Sequence, residues 1–349
     1  MKSAILERGA FTLSAVGIVA SALGWIFVPD IFAHAWLAAM TAWLGWPLGS
    51  MGLILIHALT GGRWGFAIRR PLAAGVATLP LLLPALLPVL ILAPRLYPWL
   101  HSGALPNRFY LNVPFFCVRL VLYLGVWLGL AALVRRALKR EDREAALARL
   151  APAGLIGLAL TVTFAAIDFN LSLQPQFTSS VYGWMAAAEA LLLALSVALL
   201  ATGRKFPAAT PDLARLLLAL LVLWAYLDFV QLLIVWNSNL PNDAIWYAPR
   251  LAGTWGGLAA LIALLHFALP FLVLIFPPLQ RSARAVTLVA ALLIAMEIVR
   301  AWWLVIPAAH RQLSFIDLGA MLALLPLGAA LGIRAFQRGA YLDAEAALA

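Results

Sequence analysis

Ten long apolar stretches constrain this chain more than any other feature of its sequence. Of its 349 residues, 65% are hydrophobic and only 11% are charged, and a helix needs about 20 mostly apolar residues to cross a bilayer. Backbone amides inside lipid must be satisfied within their own element, so the stretches are predicted to be helices. The sequence therefore predicts an all-α, polytopic membrane protein of about ten transmembrane helices. The predicted spans are 10–29, 34–60, 71–94, 113–138, 151–170, 180–202, 212–237, 251–276, 285–307 and 313–335.

The basic residues are divided unevenly between the two sets of connections. With the N-terminus inside, the inner segments hold eighteen of the 24 Lys and Arg residues. The outer loops hold only Arg95, Arg108, Arg250 and Arg311. Because cytoplasmic connections carry the excess of Lys and Arg, both termini are predicted to be cytoplasmic. The net charge of +10 is explained in this way, so it indicates no nucleic-acid partner.

Ionisable side chains inside the predicted spans are the candidates for function. A charge at bilayer depth costs about 2.5–3.5 kcal/mol on insertion scales unless it is paired, protonated or hydrated. Position along each span, at about 1.5 Å per residue, gives the depth of each group. From the outer face inwards they are Asp168, Arg119 and Arg300, then Glu189, Asp228 and Glu297, and finally His266 and His57. We predict that the acids and histidines form a proton path.

Each of these groups also has a purely structural interpretation. Glu297 and Arg300 are three residues apart on one helix, so they can form an ion pair that only fixes helix packing. Asp168 can simply cap its helix at the interface, and His57 can equally be structural. Asp317 follows Ser314 at the start of the last span, where the helix dipole favours a negative charge. The sequence leaves these alternatives open.

Prolines and tryptophans give two further expectations. Pro80, Pro84 and Pro88 recur every four residues in the third span, and each removes a helical hydrogen bond. They predict a bent helix, which either lines a wet cavity with freed carbonyls or wraps around its neighbours. Interfacial aromatic belts are predicted for some of the tryptophans. The belt candidates are Trp36, Trp43, Trp99, Trp246, Trp302 and Trp303.

Several kinds of bound group and catalytic centre are not predicted. The single Cys117 excludes a disulfide framework and a self-held iron–sulfur cluster. No Walker loop, dinucleotide fingerprint, His-Glu-x-x-His helix or nucleophile elbow is present, so no catalytic residue and no metal site is assigned. His57 and His266, on separate spans, leave a b-type haem open as an alternative.

Five sequence segments, in order, resemble a known family. Their motifs are His57-x-x-Thr60-Gly61-Gly62-x-Trp64; Asp168…Ser172-Leu173-x-Pro175…Tyr182-Gly183; Trp224-Ala225-Tyr226…Phe229-x-Gln231…Trp236-x-x-Asn239-x-Pro241…Trp246; His266-Phe267-x-x-Pro270-Phe271; and Trp303-x-x-x-Pro307. In these segments the chain resembles the NrfD-like (polysulfide-reductase-like) integral subunits of alternative complex III, a bacterial quinol:cytochrome c oxidoreductase, and specifically the ActF type. It departs from the family at five positions of the second motif, two of which change a titratable Glu or His to an amide, Gln174 and Gln176. The other three departures are Phe169, Asn170 and Phe177, where the family has Trp, Met and Trp.

The resemblance carries expectations about fold and assembly. It implies a single integral membrane domain over residues 1–349, with one four-helix bundle at 34–170, a second at 180–307 and two flanking helices. It implies the bacterial inner (cytoplasmic) membrane, and partners that comprise an NrfD-like sister subunit, iron–sulfur and c-haem subunits, and lipid. By its motif positions, Asp168, Asp243 and His57 would belong to a proton path; Glu189, Asp228 and Glu297 are assigned from depth alone.

The predicted function is that of a cofactor-free subunit in a quinol-oxidising respiratory complex. Such a subunit anchors the assembly and provides a proton path, with quinol bound at the level of the complex and no catalysis by this chain alone. Two alternatives remain. Either the chain binds quinone itself, at residues the sequence does not identify, or it is a solitary transporter or b-haem protein.

Overall fold

Ten long helices dominate the fold. The computed structural model describes residues 2–101, 107–203, 207–238, 240–339 and 342, without the side chains of Lys2, Ser3, Pro207, Asn242 and Asp243. In this part of the chain, ten helices are long and apolar enough to cross a membrane, and no strand occurs. In chain order they are α1 (Ala4–Phe27), α2 (Pro29–Thr60), α3 (Arg63–Ile91), α4 (Val113–Ala137), α5 (Arg143–Leu173), α6 (Tyr182–Thr202), α7 (Thr210–Ser238), α8 (Gly253–Ile275), α9 (Ala283–Ala309) and α10 (Phe315–Arg338).

The prediction of an all-α polytopic membrane protein is confirmed. The ten helices coincide with the ten predicted spans, although several extend further into the polar flanks. Pro29 was expected to close the first span, but it is the first residue of α2, where its missing N–H costs nothing. The segment after α7 was interpreted as a loop, but it folds into a short helix, Pro241–Leu251.

Polar caps fix the beginnings of three helices. The Asn112 side chain accepts the Phe115 amide at 2.9 Å, and Ser282 caps α9 in the same way. Ser314 and Asp317 form a reciprocal capping box at the start of α10. The expectation for Asp317 is confirmed, and Arg311 adds two bonds of 2.7 Å to its carboxylate.

The helices pack as two neighbouring groups with α2 and α6 at their junction. In the first group α2 contacts α3 and α5, and α4 contacts α3 and α5. In the second group α6 contacts α7 and α9, and α8 contacts α7 and α9. Helix α1 packs along α10, which lies against α2 and α3. The connections rich in Lys and Arg all lie on one side of this arrangement, hereafter the basic face; the other side is the opposite face.

Small residues allow the closest helix contacts. A Cβ atom on Gly49 of α2 would lie 1.8 Å from the carbonyl oxygen of Ala190 in α6. A Cβ on Gly17 of α1 would lie 2.2 Å from the backbone nitrogen of Ala323 in α10. Since lipid gives no hydrophobic drive for helices to associate, such close backbone approach is a main source of their attraction.

Two expectations about α3 and the tryptophans have different outcomes. A 3₁₀ turn, Leu79–Leu81, interrupts α3 at the prolines, as a bent helix requires. Pro80 and Pro84 are exposed on its outer side, which favours the wrapped helix over the wet cavity. The belt prediction is wrong for Trp43, Trp246, Trp99 and Trp303, because these side chains are buried in the protein core.

Candidate functional site

Each helix group contains at least one buried arginine with an acidic partner. In the first group, Arg119 of α4 binds Asp168 of α5 through two bonds of 2.8 Å. The Tyr123 hydroxyl donates to the same carboxylate at 2.7 Å, and the Arg119 guanidinium lies 3.8 Å from the Tyr110 ring centroid. Asp168 is only 1% exposed. Its charge is fully matched, so this pair is a closed structural link between α4 and α5.

The second group contains a larger cluster around Arg300 of α9. Its Nε atom donates to the Glu189 carboxylate of α6, and its Nη2 atom donates to Asp228 of α7 at 3.0 Å. Three helices therefore meet at one guanidinium. From the sequence, Glu297 could form an ion pair with Arg300 on the same helix. The hydrogen bonds of Arg300 go instead to acids on two other helices.

Glu297 nevertheless belongs to the same cluster. It lies one helical turn before Arg300 on α9, lines a common cavity with Glu189 and Arg300, and is 6% exposed. We call Glu189, Asp228, Glu297 and Arg300 the carboxylate cluster. Three ionised carboxylates would leave two negative charges without a cation, which a membrane interior strongly disfavours. The cluster therefore has the composition of a group that shares protons rather than of a matched ion pair.

A cavity between the two helix groups reaches the cluster from one side. It has a volume of about 80 Å³, and Glu189, Glu297 and Arg300 line one of its walls. Thr41 and Asn170 line another part, and the Thr41 hydroxyl donates to the Asn170 side chain at 3.1 Å. A cavity with several polar wall groups is suited to hold water.

A second cavity reaches the cluster from the membrane side of α7 and α8. It has a volume of about 440 Å³, and its polar lining groups include Asp228 and Arg300. The rest of its wall is mostly apolar and aromatic, and Tyr226 and Phe229 are each 61% exposed at its mouth. Arg300 lines both cavities. The cluster therefore lies between the cavity inside the protein and the cavity on the membrane side of α7 and α8.

The polar groups are arranged asymmetrically across the membrane. Toward the opposite face, Tyr182 at the start of α6 and Asn170 after α5 both line the inner cavity. Toward the basic face, the adjoining cavity of about 330 Å³ is lined by residues such as Leu48, Ile56 and Leu155, and no ionisable side chain lines it. The described groups thus link the cluster to the opposite face more directly than to the basic face.

The two predicted histidines have different surroundings. His57 binds the Gly62 carbonyl at 2.8 Å in the turn after α2 and lines neither cavity of the cluster. His266 lies in a π-helical turn, Ile262–Ala268, and stacks on Trp224 with ring centroids 4.3 Å apart. Trp224 in turn lies 4.9 Å from the Arg300 guanidinium. The structure therefore brings His266 next to the cluster but not His57.

Sequence reasoning missed Arg250, which it placed in an outer loop. The side chain is fully buried and donates to Gln174 at 2.7 Å and to the Leu304 carbonyl at 2.5 Å. Its guanidinium also lies 3.4 Å from the Trp246 ring centroid. Burial lowers the pKa of Arg250 to about 9, so it remains a cation at neutral pH. The Trp246-x-x-x-Arg250 spacing, one helical turn, was the available signal.

Arg250 joins the two polar segments that follow α5 and α7. In the same region Ser179 donates to Gln231 at 2.5 Å, and Gln231 donates to the Tyr247 hydroxyl at 3.1 Å. Burial raises the pKa of that tyrosine above its ordinary value. The segments form one packed cap at the opposite face. Asp243 also belongs to this region by sequence, but its side chain lies outside the described part of the structure.

No metal centre is formed by the residues that the structure describes, since no group of three or more His, Cys, Asp or Glu has suitable geometry. Comparison with models of known protein families gives no match. Comparison with curated proteins gives no match either. The resemblance to the membrane subunits of alternative complex III therefore stays a prediction from the sequence motifs.

Proposed function

We propose that this protein is a proton-carrying integral subunit of a quinol-oxidising membrane complex. One observation supports the proton role above all others: three carboxyl groups from three membrane-spanning helices lie around a single buried arginine, between two cavities. A matched pair, such as Arg119 with Asp168, has no use for an additional proton. The carboxylate cluster needs protons to balance its charge, and its carboxyl groups line two cavities through which protons can be exchanged.

The geometry also supports a division of roles within the cluster. Glu189 and Glu297 border the polar cavity that leads toward the opposite face. Asp228 borders the cavity open to the membrane, and its side chain is 31% exposed. Arg300 holds Glu189 and Asp228 in place. A proton that enters at Asp228 passes to Glu189 and Glu297. Asp228 and Glu189 bond to the same Arg300 guanidinium, so only this group separates them.

The association with redox subunits rests on the sequence resemblance. The chain is proposed to anchor an NrfD-like sister subunit together with iron–sulfur and c-haem subunits in the bacterial inner membrane. Its termini are proposed to be cytoplasmic. Affinity purification from native membranes tests this: a haem absorbance that co-purifies with the chain in fixed ratio supports it, and a homogeneous preparation of the chain alone contradicts it.

Proton transfer is tested in the purified complex reconstituted into vesicles with an internal pH-sensitive dye. We expect Glu297→Gln and Asp228→Asn to reduce protons moved per electron while the subunits remain assembled. Glu141→Gln, at an exposed position on the basic face, is the matched control and should behave as wild type. Normal proton movement in both cluster variants would exclude this path.

A second candidate function is quinone binding by the chain itself. The membrane cavity favours it, because a flat ring with two oxygens fits an aromatic wall that presents Asp228 and Arg300. Quinone quenching of tryptophan fluorescence provides the assay. Ala263→Trp, which fills this cavity, should weaken the quenching, whereas Ala187→Trp in the apolar cavity should not. Equal quenching in both variants would contradict quinone binding at this place.

A further inference from the structure

A third large cavity lies on the basic face, away from the carboxylate cluster. It has a volume of about 460 Å³ and lies between α3, α4 and α10. Five cationic side chains line it, contributed by all three helices and the turn after α4. They are Arg70, Arg135, Lys139, Arg334 and Arg338. The proton path and the family motifs involve none of these residues.

Two of the five cations are held in place by the protein. Arg70 donates to the Phe336 carbonyl at 2.7 Å, and its guanidinium lies 3.9 Å from the Phe336 ring centroid. Arg334 bonds to Glu7 of α1 at 2.8 Å. These contacts tie α3 and α1 to α10 and fix one wall of the cavity, so the site does not need to be assembled by its ligand.

The other three cations have no carboxylate partner among the residues that the structure describes. They are Arg135, Lys139 and Arg338, and all three are exposed to the cavity or its rim. In the same connection, Asp142 bonds to Arg140 and Glu144 bonds to Arg69, and the exposed Glu141 forms no ion pair with any of the five cations. Among the residues that the structure describes, the lining of the cavity therefore carries an excess of positive charge, which suits an anion.

The remaining wall decides what kind of anion fits. Below the cations it is formed by Ala73, Ala77, Leu81 and Leu331, which continue down the membrane-spanning part of α3 and α10. A soluble anion would use the cations and leave this apolar wall without a partner. A phospholipid places its phosphate among the cations and its acyl chains along the wall, and basic pockets between membrane helices suit such headgroups.

We propose that this cavity binds the phosphate headgroup of an anionic phospholipid. The lipid joins α3, α4 and α10, and so seals the contact between the first helix group and the flanking pair α1 and α10. The site is independent of the proposed proton role, since it lies on the other face and shares no residue with the carboxylate cluster.

Native mass spectrometry of the full chain, released from nanodiscs, tests the proposal. Nanodiscs that contain equal phosphatidylglycerol and phosphatidylcholine should yield chains carrying mainly phosphatidylglycerol. The triple variant Arg135→Gln, Lys139→Gln, Arg338→Gln should lower that retention by at least about tenfold, since each basic group near an anionic lipid contributes on the order of 1 kcal/mol. The control Arg136→Gln, Arg281→Gln, Arg284→Gln removes equal charge from exposed positions of the same face and should retain lipid as wild type does.

Three results would overturn the proposal. They are equal retention of the two lipids by wild type, equal loss in the pocket and control variants, or displacement of the lipid by inorganic phosphate at matched concentration. The last result would assign the cavity to a soluble anion. If the pocket variant does not fold, the lipid preference and the phosphate competition of the wild-type chain still decide the question.

Discussion

Arg119 and Arg300, two of the buried arginines, differ in how completely their charge is matched. Arg119 has one carboxylate partner, one tyrosine beside it and an aromatic ring on its face. Arg300 has two carboxylate partners, and a third acid lies one helical turn away. The matched charges around Arg119 stabilise the fold. Around Arg300 the acids outnumber the cation, so that protons can neutralise the remaining carboxylates. This difference in stoichiometry, rather than burial alone, separates the closed pair from the cluster for which a proton role is proposed.

Breaking the closed pair should destabilise the protein strongly. Asp168→Asn leaves the Arg119 charge buried and unmatched, and we expect a loss of about 3–5 kcal/mol in the free energy of unfolding. Unfolding by denaturant in detergent, followed by circular dichroism, measures it. The double variant Arg119→Met, Asp168→Leu removes both charges and should recover most of the loss; a double variant as unstable as the single one would contradict the account.

Arg250 should be irreplaceable by lysine. Lysine keeps the charge, but it has a single Nζ atom. That atom cannot replace both Nη1, which donates to Gln174 and the Trp246 carbonyl, and Nη2, which donates to the Leu304 carbonyl. We expect Arg250→Lys to speed amide hydrogen exchange in the short helix Pro241–Leu251. Arg108→Lys, an exposed arginine of the same face, is the control and should leave that exchange unchanged. Unaltered exchange in Arg250→Lys would show that the cap does not depend on these bonds.

At the scale of the helices, the contact of α2 with α6 holds the two groups together. Gly49→Leu should force them apart, because a side chain at this position meets the Ala190 backbone. Overpacking of this kind costs about 1–3 kcal/mol or more. Gly129→Leu is the matched control, because a Cβ there meets no atom within 4 Å. Thermal unfolding of both variants in detergent distinguishes them, and equal melting temperatures would contradict this role of Gly49.

The helices themselves could be predicted from the sequence, but their partners could not. Apolar length located the membrane-spanning part of each helix, because the bilayer thickness sets that length, but α3 and α5 each begin eight residues before the predicted span. Depth along the span correctly placed Glu189, Asp228 and Glu297 at similar levels. It could not show that Arg300 points away from Glu297 toward α6 and α7, since that depends on how helices distant in sequence pack. The short helix after α7 escaped prediction because it is amphipathic rather than apolar.

The tryptophans illustrate the same limit. Position near a span end predicted interfacial belts, yet Trp246 and Trp303 are buried by the cap that Arg250 organises. Aromatic residues near an interface have two uses, contact with lipid headgroups or packing beneath a loop. Only the fold of the following segment distinguishes them.

For the whole molecule, the proposed orientation makes a labelling prediction. In a Cys117→Ser background, Arg108→Cys on the opposite face should react with a membrane-impermeant thiol reagent in intact cells. Arg136→Cys on the basic face should react only after the membrane is permeabilised. The reverse pattern would place the basic face outside and would contradict the cytoplasmic termini.

The central claim is that the carboxylate cluster holds a proton in a hydrated interior. Infrared difference spectroscopy during a pH change measures it most directly, because a protonated carboxyl group has its own C=O band, which shifts in D₂O. We predict a D₂O-sensitive band that Glu297→Gln or Glu189→Gln removes and Asp168→Asn leaves in place. A spectrum without such a band, or with a band that the cluster variants do not change, would contradict the claim.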